Sequence, residues 1–410
     1  MRTAAPSQVA AARVLARLET LFALGPKPHA NRPGLSAEEE TACRLAAAWM
    51  EEAGLAVTWD AAGNVVGRAP GTSPELPEVW TGSHLDTVPS GGRFDGALGV
   101  IAGIEAVCAL AGRGLTRSVA VAAFRDEEGW RFGRGLFGSR ALCGRLSDGE
   151  AADTDPDGVT LGDAVAALGR PWPPAGGWLD PGIHAFLELH IEQGPVLADA
   201  GAPLGIVREI VGMSGFEVAF TGSPGHAGTT PMQCRVDALG AAATMVVALH
   251  AAAAGIEDAV ATVGRLDVHP GASNVIPEHV VLSVDARAPD DARLDALQAA
   301  VEETSRAAAE ARGAGVVVRR TWRLPPAAMA PEIRAALARS LAVAGVPVIE
   351  LPSGAGHDAQ VFSAAGIPTG MLFTRSLAGG VSHSPWEHTD AEALELAVRA
   401  LRGALAELAG

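Results

Sequence analysis

The chain has 410 residues, with 31 Lys and Arg against 47 Asp and Glu, for a formal net charge of −16. That deficit of basic charge argues against nucleic acid and anionic membrane surfaces as partners. With 48% hydrophobic and only 19% charged residues, the chain can build a sizeable core and is not a disordered polymer. At roughly 150 residues per domain the length predicts two to three domains.

Val14, Leu15, Leu18 and Phe22 form the apolar stripe of a first helix, and Met1 to Gly25 lacks a signal-peptide pattern. A strand is expected in Glu78 to Val88, a helix over Ala97 to Ala111, and short strands over Ser118 to Phe124 and Ala185 to Ile191. Between the last two, Asp148 to Gly182 is rich in Asp, Pro and Gly and reads as a surface excursion with one short helix. The texture changes near residue 210. Gly215 to Thr221 alternates like a strand with one open face, and the uncharged Ala238 to Ile256 reads as a packed helix at a subunit interface rather than a membrane span. Strands over Val260 to Leu266 and His279 to Arg287, a helix over Asp291 to Arg312 and a strand over Gly315 to Leu324 complete a β-α-β-β-α-β order, the ferredoxin-like pattern. Strands over Pro347 to Leu351 and Thr369 to Phe373 then resume the α/β texture. The expected organisation is a discontinuous α/β domain, 1–210 and 326–410, interrupted by an α+β lid domain, 211–325. Cys43, Cys108, Cys143 and Cys234 show no C-x-x-C spacing and are read as buried small hydrophobes in a reducing cytoplasm.

Chemistry-bearing residues gather at predicted strand ends. In Gly82-Ser83-His84-Leu85-Asp86, a carboxylate two residues from an imidazole can hold the second ring nitrogen of a metal-bound His. The same H-x-D also describes a structural histidine. Asp95, between glycines before a helix, suits an N-cap or a cation bridge. Asp126-Glu127-Glu128 is an acidic run that would ordinarily be solvated surface, yet it follows a buried strand at the edge where α/β proteins build sites. His190 in Glu188-Leu189-His190-Ile191-Glu192-Gln193 and His383 in Gly380-Val381-Ser382-His383 add two more imidazoles.

His84, Asp95, Glu128, His190 and His383 together resemble the metal-binding set of the dinuclear metallopeptidase and amidohydrolase superfamily. The segments ELHIEQGPVL, GSPGHAGTTPM and GASNVIP narrow the resemblance to the branch of N-carbamoyl-L-amino-acid hydrolases, β-ureidopropionases and allantoate amidohydrolases. The resemblance implies a dinuclear metallopeptidase-like fold and two divalent metal ions per subunit, whether zinc, manganese, cobalt or nickel. It implies Asp95 as bridging ligand, His84 and His190 at one metal, and Glu128 and His383 at the other. Asp86 would stand behind His84, Glu127 would be the general base, and His226 would polarise the scissile carbonyl. Asn274 and Arg287 would recognise a carboxylate, while Gln193, Gly356 and His357 match pocket positions. Read without the resemblance, His226 could end a strand, Asn274 sit in a turn and Arg287 pair with Asp285. Trp130 departs from the pattern at the pocket rim and bears on side-chain preference.

The implied activity is hydrolysis of the ureido C–N bond of an N-carbamoyl-L-amino acid, releasing amine, carbon dioxide and ammonia. Allantoate or ureidoglycolate, an N-acyl amino acid or dipeptide, and a non-catalytic metal-binding descendant are the alternatives. The expected assembly is a homodimer joined through the lid domain, with no nucleic-acid or membrane partner.

Overall fold

A computed structural model describes residues 6–25, 31–174, 176–177 and 182–410. The chain forms two compact units, Met1–Arg208 with Ala328–Gly410, and Glu209–Ala327. Residues 175 and 178–181 of the expected surface excursion lie outside the described residues; the rest of it holds a helix at Leu161–Ala167 and a short 3₁₀ turn.

In chain order the strands are β1 (Ala56–Trp59), β2 (Val65–Ala69), β3 (Glu78–His84), β4 (Val119–Phe124), β5 (Ile183–Ile191) and β6 (Leu204–Ile210), then β7 (Gly212–Thr221), β8 (Val260–His269), β9 (His279–Ala288) and β10 (Gly315–Leu324), then β11 (Ala327–Ala328), β12 (Glu350–Ser353) and β13 (Thr369–Thr374). The first unit is built on a mixed sheet in the order β1-β2-β4-β3-β5-β13-β6-β11, with β12 beside β6. Its middle is parallel: β4, β3, β5 and β13 run in one direction. Strands β3, β4 and β13 are buried at every residue, which is why none alternates between an apolar and a solvent-facing side; β4 is apolar throughout.

Helices cover both faces. Ala97–Cys108 is buried from Ala97 to Val107, apolar on nearly every side, and its one charge, Glu105, is paired with Arg13 and Arg17. It packs with Pro6–Phe22 and Ala391–Ala409, the latter packed in turn on Pro331–Ala344, over Val79, Val121, Leu187 and Leu189. On the opposite face Phe362, from the helix Asp358–Ala364, stacks on Phe186 at 4.1 Å and meets Phe124 at 5.4 Å. Strand alternation places Glu188 and His190 on that same face as Phe186.

The second unit has the sheet order β10-β7-β9-β8, antiparallel throughout. Helix Ala238–Ala254 buries Ala238, Ala241, Ala242, Met245, Leu249 and Ala253, one stripe at helical spacing, and Asp237 caps it through the Gly240 N–H. Helix Asp291–Arg312 packs beside it over β9, whose residues alternate between buried and half-buried. Strand β7 is central in this sheet and alternates as expected from Phe216 to Thr221, with Phe216, Val218 and Phe220 buried and Glu217, Ala219 and Thr221 more open; only its start, Gly212–Gly215, is buried throughout. No helix among the described residues is long and apolar enough to cross a membrane. The cysteines depart from expectation. Only Cys43 is buried, on the inner face of Ala37–Glu52, whereas Cys108 and Cys143 are half-buried and Cys234 is exposed; all four are free thiols.

Candidate metal centre

Parallel strands deliver their carboxyl ends to one edge, and the polar residues cluster there. His84 ends β3 opposite Phe124, the last residue of β4, so the acidic run Asp126-Glu127-Glu128 starts next to it. His190 lies in β5 opposite Phe373 of β13, the strand that leads toward His383. Asp95 precedes the buried helix, but Gly96 is the cap residue and no side chain caps that terminus, so the Asp95 carboxylate is not spent on the backbone. Gly96 has φ 60°, and a β-carbon there would lie 2.4 Å from the His84 ring; only glycine allows this approach.

Two donor clusters result. His84, Asp95 and His190 form one; Asp95, Glu128 and His383 form the other, with ligand atoms in each group within 4.8 Å of one another. Asp95 belongs to both. Its Oδ1 lies 3.1 Å from His190 Nε2 and 3.8 Å from His84 Nε2. Its Oδ2 lies 3.3 Å from His383 Nε2, which is 3.4 Å from Glu128 Oε2.

The ring orientations fit a cation. His190 Nδ1 is engaged by the Ile191 carbonyl at 2.9 Å, and His84 Nδ1 faces the Asp86 carbonyl at 3.2 Å and its Oδ1 at 3.4 Å. Both rings thus present Nε2 to Asp95, the arrangement that fixes the tautomer of a liganding histidine. Electrostatics point the same way. Burial pushes the Glu128 carboxyl well above its ordinary pKa, and Asp95 and Asp86 add to the shift. Burial also drives Glu127 well above its ordinary value, with His84 opposing and Glu128, Asp358 and Asp86 reinforcing. Burial disfavours protonated His84, but Glu127, Asp86 and Asp95 outweigh it and hold its pKa well above the usual imidazole value. Burial opposes ionisation of Asp95 too, and His190, His84 and His383 overcome it, keeping its pKa well below the ordinary value. A site this rich in enclosed carboxylates calls for compensating positive charge, which divalent cations supply. Imidazoles and carboxylates are suitable donors for them.

Glu127 Oε2 stands 3.7 Å from His84 Nε2. Asp86 accepts the Glu127 N–H on Oδ1 and the Glu128 N–H on Oδ2, both at 3.0 Å, so one carboxylate orients His84 and the acidic run together. Gln193, at φ 57°, donates from Nε2 to Asp95 Oδ2 and to Ser382 Oγ, each at 3.1 Å, while its Oε1 is buried without a hydrogen bond. Asp126 and His383 also have positive φ, so three residues of this site hold a backbone conformation unfavourable to side-chain-bearing residues.

His357 is buried beside the centre, its ring centroid 4.5 Å from that of His190 and its Nε2 2.8 Å from Ser353 Oγ; Gly356 precedes it. In the second unit, His226 and Val275 form an isolated β-bridge, and the Ala227 N–H donates to the Asn274 carbonyl at 3.0 Å, bringing the two loops together. His226 and Asn274 are exposed. Arg287 lies on β9 and pairs with Asp285 at 2.8 Å. Sequence reasoning missed Glu387, Ser382, Glu188 and Asp358. Glu188 accepts from Ser83 Oγ at 2.7 Å and from the Ala359 N–H at 2.8 Å. Its place two residues before His190 on one strand face was the available signal.

A parallel-stranded α/β unit with a shared carboxylate between two imidazole–carboxylate clusters defines a metallohydrolase architecture. Residues 80–407 match the peptidase family M20/M25/M40, and the chain belongs to that family. It is 39% identical to an N-carbamoyl-L-amino acid amidohydrolase of Geobacillus stearothermophilus, over 93% of this chain and 94% of that one. It is 35% identical to a ureidoglycolate hydrolase of Arabidopsis thaliana, over 94% of this chain and 84% of that one. A crystal structure of a hydantoinase/carbamoylase family amidase from Burkholderia vietnamiensis superposes with a TM-score of 0.88 at 33% identity, covering 97% of each chain.

Proposed function

We propose that this protein is a divalent-metal-dependent amidohydrolase that cleaves the ureido C–N bond of an N-carbamoyl-L-amino acid, with allantoate, β-ureidopropionate and ureidoglycolate as lesser substrates. One observation carries the reading: the two oxygens of Asp95 face different clusters, His84 with His190 and Glu128 with His383. The names of the relatives, all hydrolases of carbamoyl or ureido compounds, set the bond class.

In this reading two cations would be held here, Asp95 serving both, with His84 and His190 as the other donors of one and Glu128 and His383 of the other. Such cations supply Lewis-acid polarisation of a carbonyl and acidification of water. Zinc, manganese, cobalt and nickel all suit the donors. Glu127 takes a proton from the attacking water and returns it to the departing nitrogen. Asp86 keeps His84 and the Glu127-Glu128 backbone in register. Gln193 and His357 line the pocket beside Gly356; in the homodimer His226 and Asn274 would reach into the partner's active site, His226 to polarise the carbonyl and Asn274 to support Arg287 on the substrate carboxylate. Carbon–nitrogen cleavage leaves the amino acid and carbamate, which yields carbon dioxide and ammonia. We further assign 1–210 with 326–410 as the catalytic domain and 211–325 as a lid that joins a homodimer. The four free thiols suit a reducing cytoplasm.

The test is kcat/KM for the four ureido acids and one N-acetyl amino acid, with each of the four metals, in wild type and Arg287→Ala. The ureido acids should lead by a large factor, because an acyl methyl leaves polar pocket groups unpaired. Preference for the N-acetyl compound, or an Arg287→Ala variant with unchanged kcat/KM, overturns the substrate assignment. Complementation of Arg287→Ala by Glu127→Gln in mixed samples tests the dimer, and a fully active monomer by light scattering defeats it.

A further inference from the structure

We propose that Glu387 is a positioning residue: its carboxylate staples the turn that carries Asp95 to the loop that carries His383, and so holds the two donor clusters at one spacing. The proposal rests on the metal-centre reading and adds a residue outside the ligand set. Glu387 is buried. Its Oε2 accepts the N–H groups of Phe94 at 3.1 Å and Asp95 at 3.2 Å. Its Oε1 accepts the Ser382 hydroxyl and the His383 N–H, both at 3.1 Å. Four donors meet one acceptor-only group, two on each oxygen, a pattern that an ionised carboxylate satisfies completely. The chain separation is large: Asp95 and Glu387 are 292 residues apart.

The two anchored backbones are those of the bridging aspartate and of a ligand from the second cluster. His383 has φ 53°, and its N–H bond to Glu387 helps hold that conformation. Asp95 Oδ2, 3.3 Å from the same Ser382 hydroxyl, is the alternative acceptor for its one hydrogen, so Ser382 lies between the staple and a ligand oxygen. The Gly91-Gly92 turn is shaped around the carboxylate. A β-carbon at Gly92 would lie 1.7 Å from both Glu387 Cδ and Oε2, and all three of its nearest contacts would be atoms of that carboxylate. Gly92 is not among the residues with positive φ, so the space filled by Glu387, rather than backbone freedom, accounts for glycine there.

The experiment compares wild type, Glu387→Gln, Glu387→Ala, Gly92→Ala and Gly92→Ala combined with each Glu387 variant, all in the full chain stripped of metal. Zinc and manganese affinities are measured by competition with a chromophoric chelator, and thermal midpoints are recorded with and without metal. Wild type should bind two equivalents. Glu387→Ala should lose roughly 10–100-fold in affinity, the range for residues that orient metal ligands, and Glu387→Gln, which keeps one acceptor oxygen, about 10-fold. The rise in midpoint on metal loading should shrink in step. Gly92→Ala should weaken binding in wild type and add nothing once Glu387 is Ala, because the two changes remove one interaction. A residue important only for folding would lower both midpoints equally and leave affinity unchanged in the folded protein. Should Glu387→Ala not fold, Glu387→Gln and Gly92→Ala carry the comparison. Wild-type affinity in Glu387→Gln, or full additivity of Gly92→Ala with Glu387→Ala or →Gln, overturns the staple alone; wild type that takes up no divalent metal overturns the metal-centre reading with it.

Discussion

The two units differ in what they bury. The first encloses Glu39, Asp86, Asp95, Arg125, Asp126, Glu188 and Asp358; in the second, the buried polar side chains among the described residues are Ser214 and Ser305. The second unit keeps its charges outside, as in the Arg319–Glu217 pair, where the side chains are 63% and 35% exposed. Burying charge is costly and is tolerated where partners offset it. The first unit accepts that cost at the edge of its parallel strands, where both donor clusters lie, and the second shows an ordinary apolar core.

The largest expected effect lies in the first unit. Glu127→Gln should fold and take up metal while losing ~10²–10⁴ of turnover, whereas Glu128→Gln should lower metal occupancy. Metal analysis beside steady-state kinetics checks this, and the opposite pattern reverses the two roles.

A smaller effect compares ion pairs directly. Arg125 is enclosed, 3.2 Å from Glu39 and 2.9 Å from Glu40. Arg125→Ala should cost about 3–5 kcal/mol by leaving buried carboxylates without their cation. Arg319→Ala, on the second unit's surface, should cost about 0–1 kcal/mol. Denaturant titration of both variants measures the contrast; equal losses would remove the distinction between the units.

The smallest effect concerns pH. Two carboxylates face the single Arg125 guanidinium, and burial pushes Glu39 up to about 7, with Arg125 opposing and Asp86 adding. Between the ordinary carboxylate value and about 7, the folded protein keeps a proton that the unfolded chain has lost. Stability from this group is therefore complete at low pH and falls as pH rises through that window. Glu39→Gln should flatten the slope of stability against pH by up to about 1.4 kcal/mol per unit. An unchanged slope would show that Glu39 is ionised throughout.

Much of the architecture was legible in the sequence. The helix Asp291–Arg312 and the strand Gly315–Leu324 coincide with their sequence-based spans, because long periodic runs bounded by Asp, Gly and Pro report local structure directly. The strand expected over Pro347 to Leu351 instead spans Glu350–Ser353, since a short apolar run with a leading proline marks its own edges poorly. In the site, His84 and His190 stood out by residue type at strand ends, and Asp95 by its place between glycines before a helix. Glu387 did not, because its role consists of backbone N–H partners near residue 95 and residue 383 that no local pattern reveals.

The sequence by itself determined the element types, the acidic character, the family resemblance and a set of imidazoles and carboxylates in α/β context, because periodicity, charge and residue chemistry are local properties. Only the tertiary structure decided that β7 sits in the middle of its sheet, that Cys234 is exposed, and that Asp95 turns one oxygen to each donor cluster. It also decided the burial that raises the Glu127 and Glu128 pKa values. These depend on groups far apart in the chain meeting in a water-poor interior, and that proximity arises only when the strands pair and the core closes.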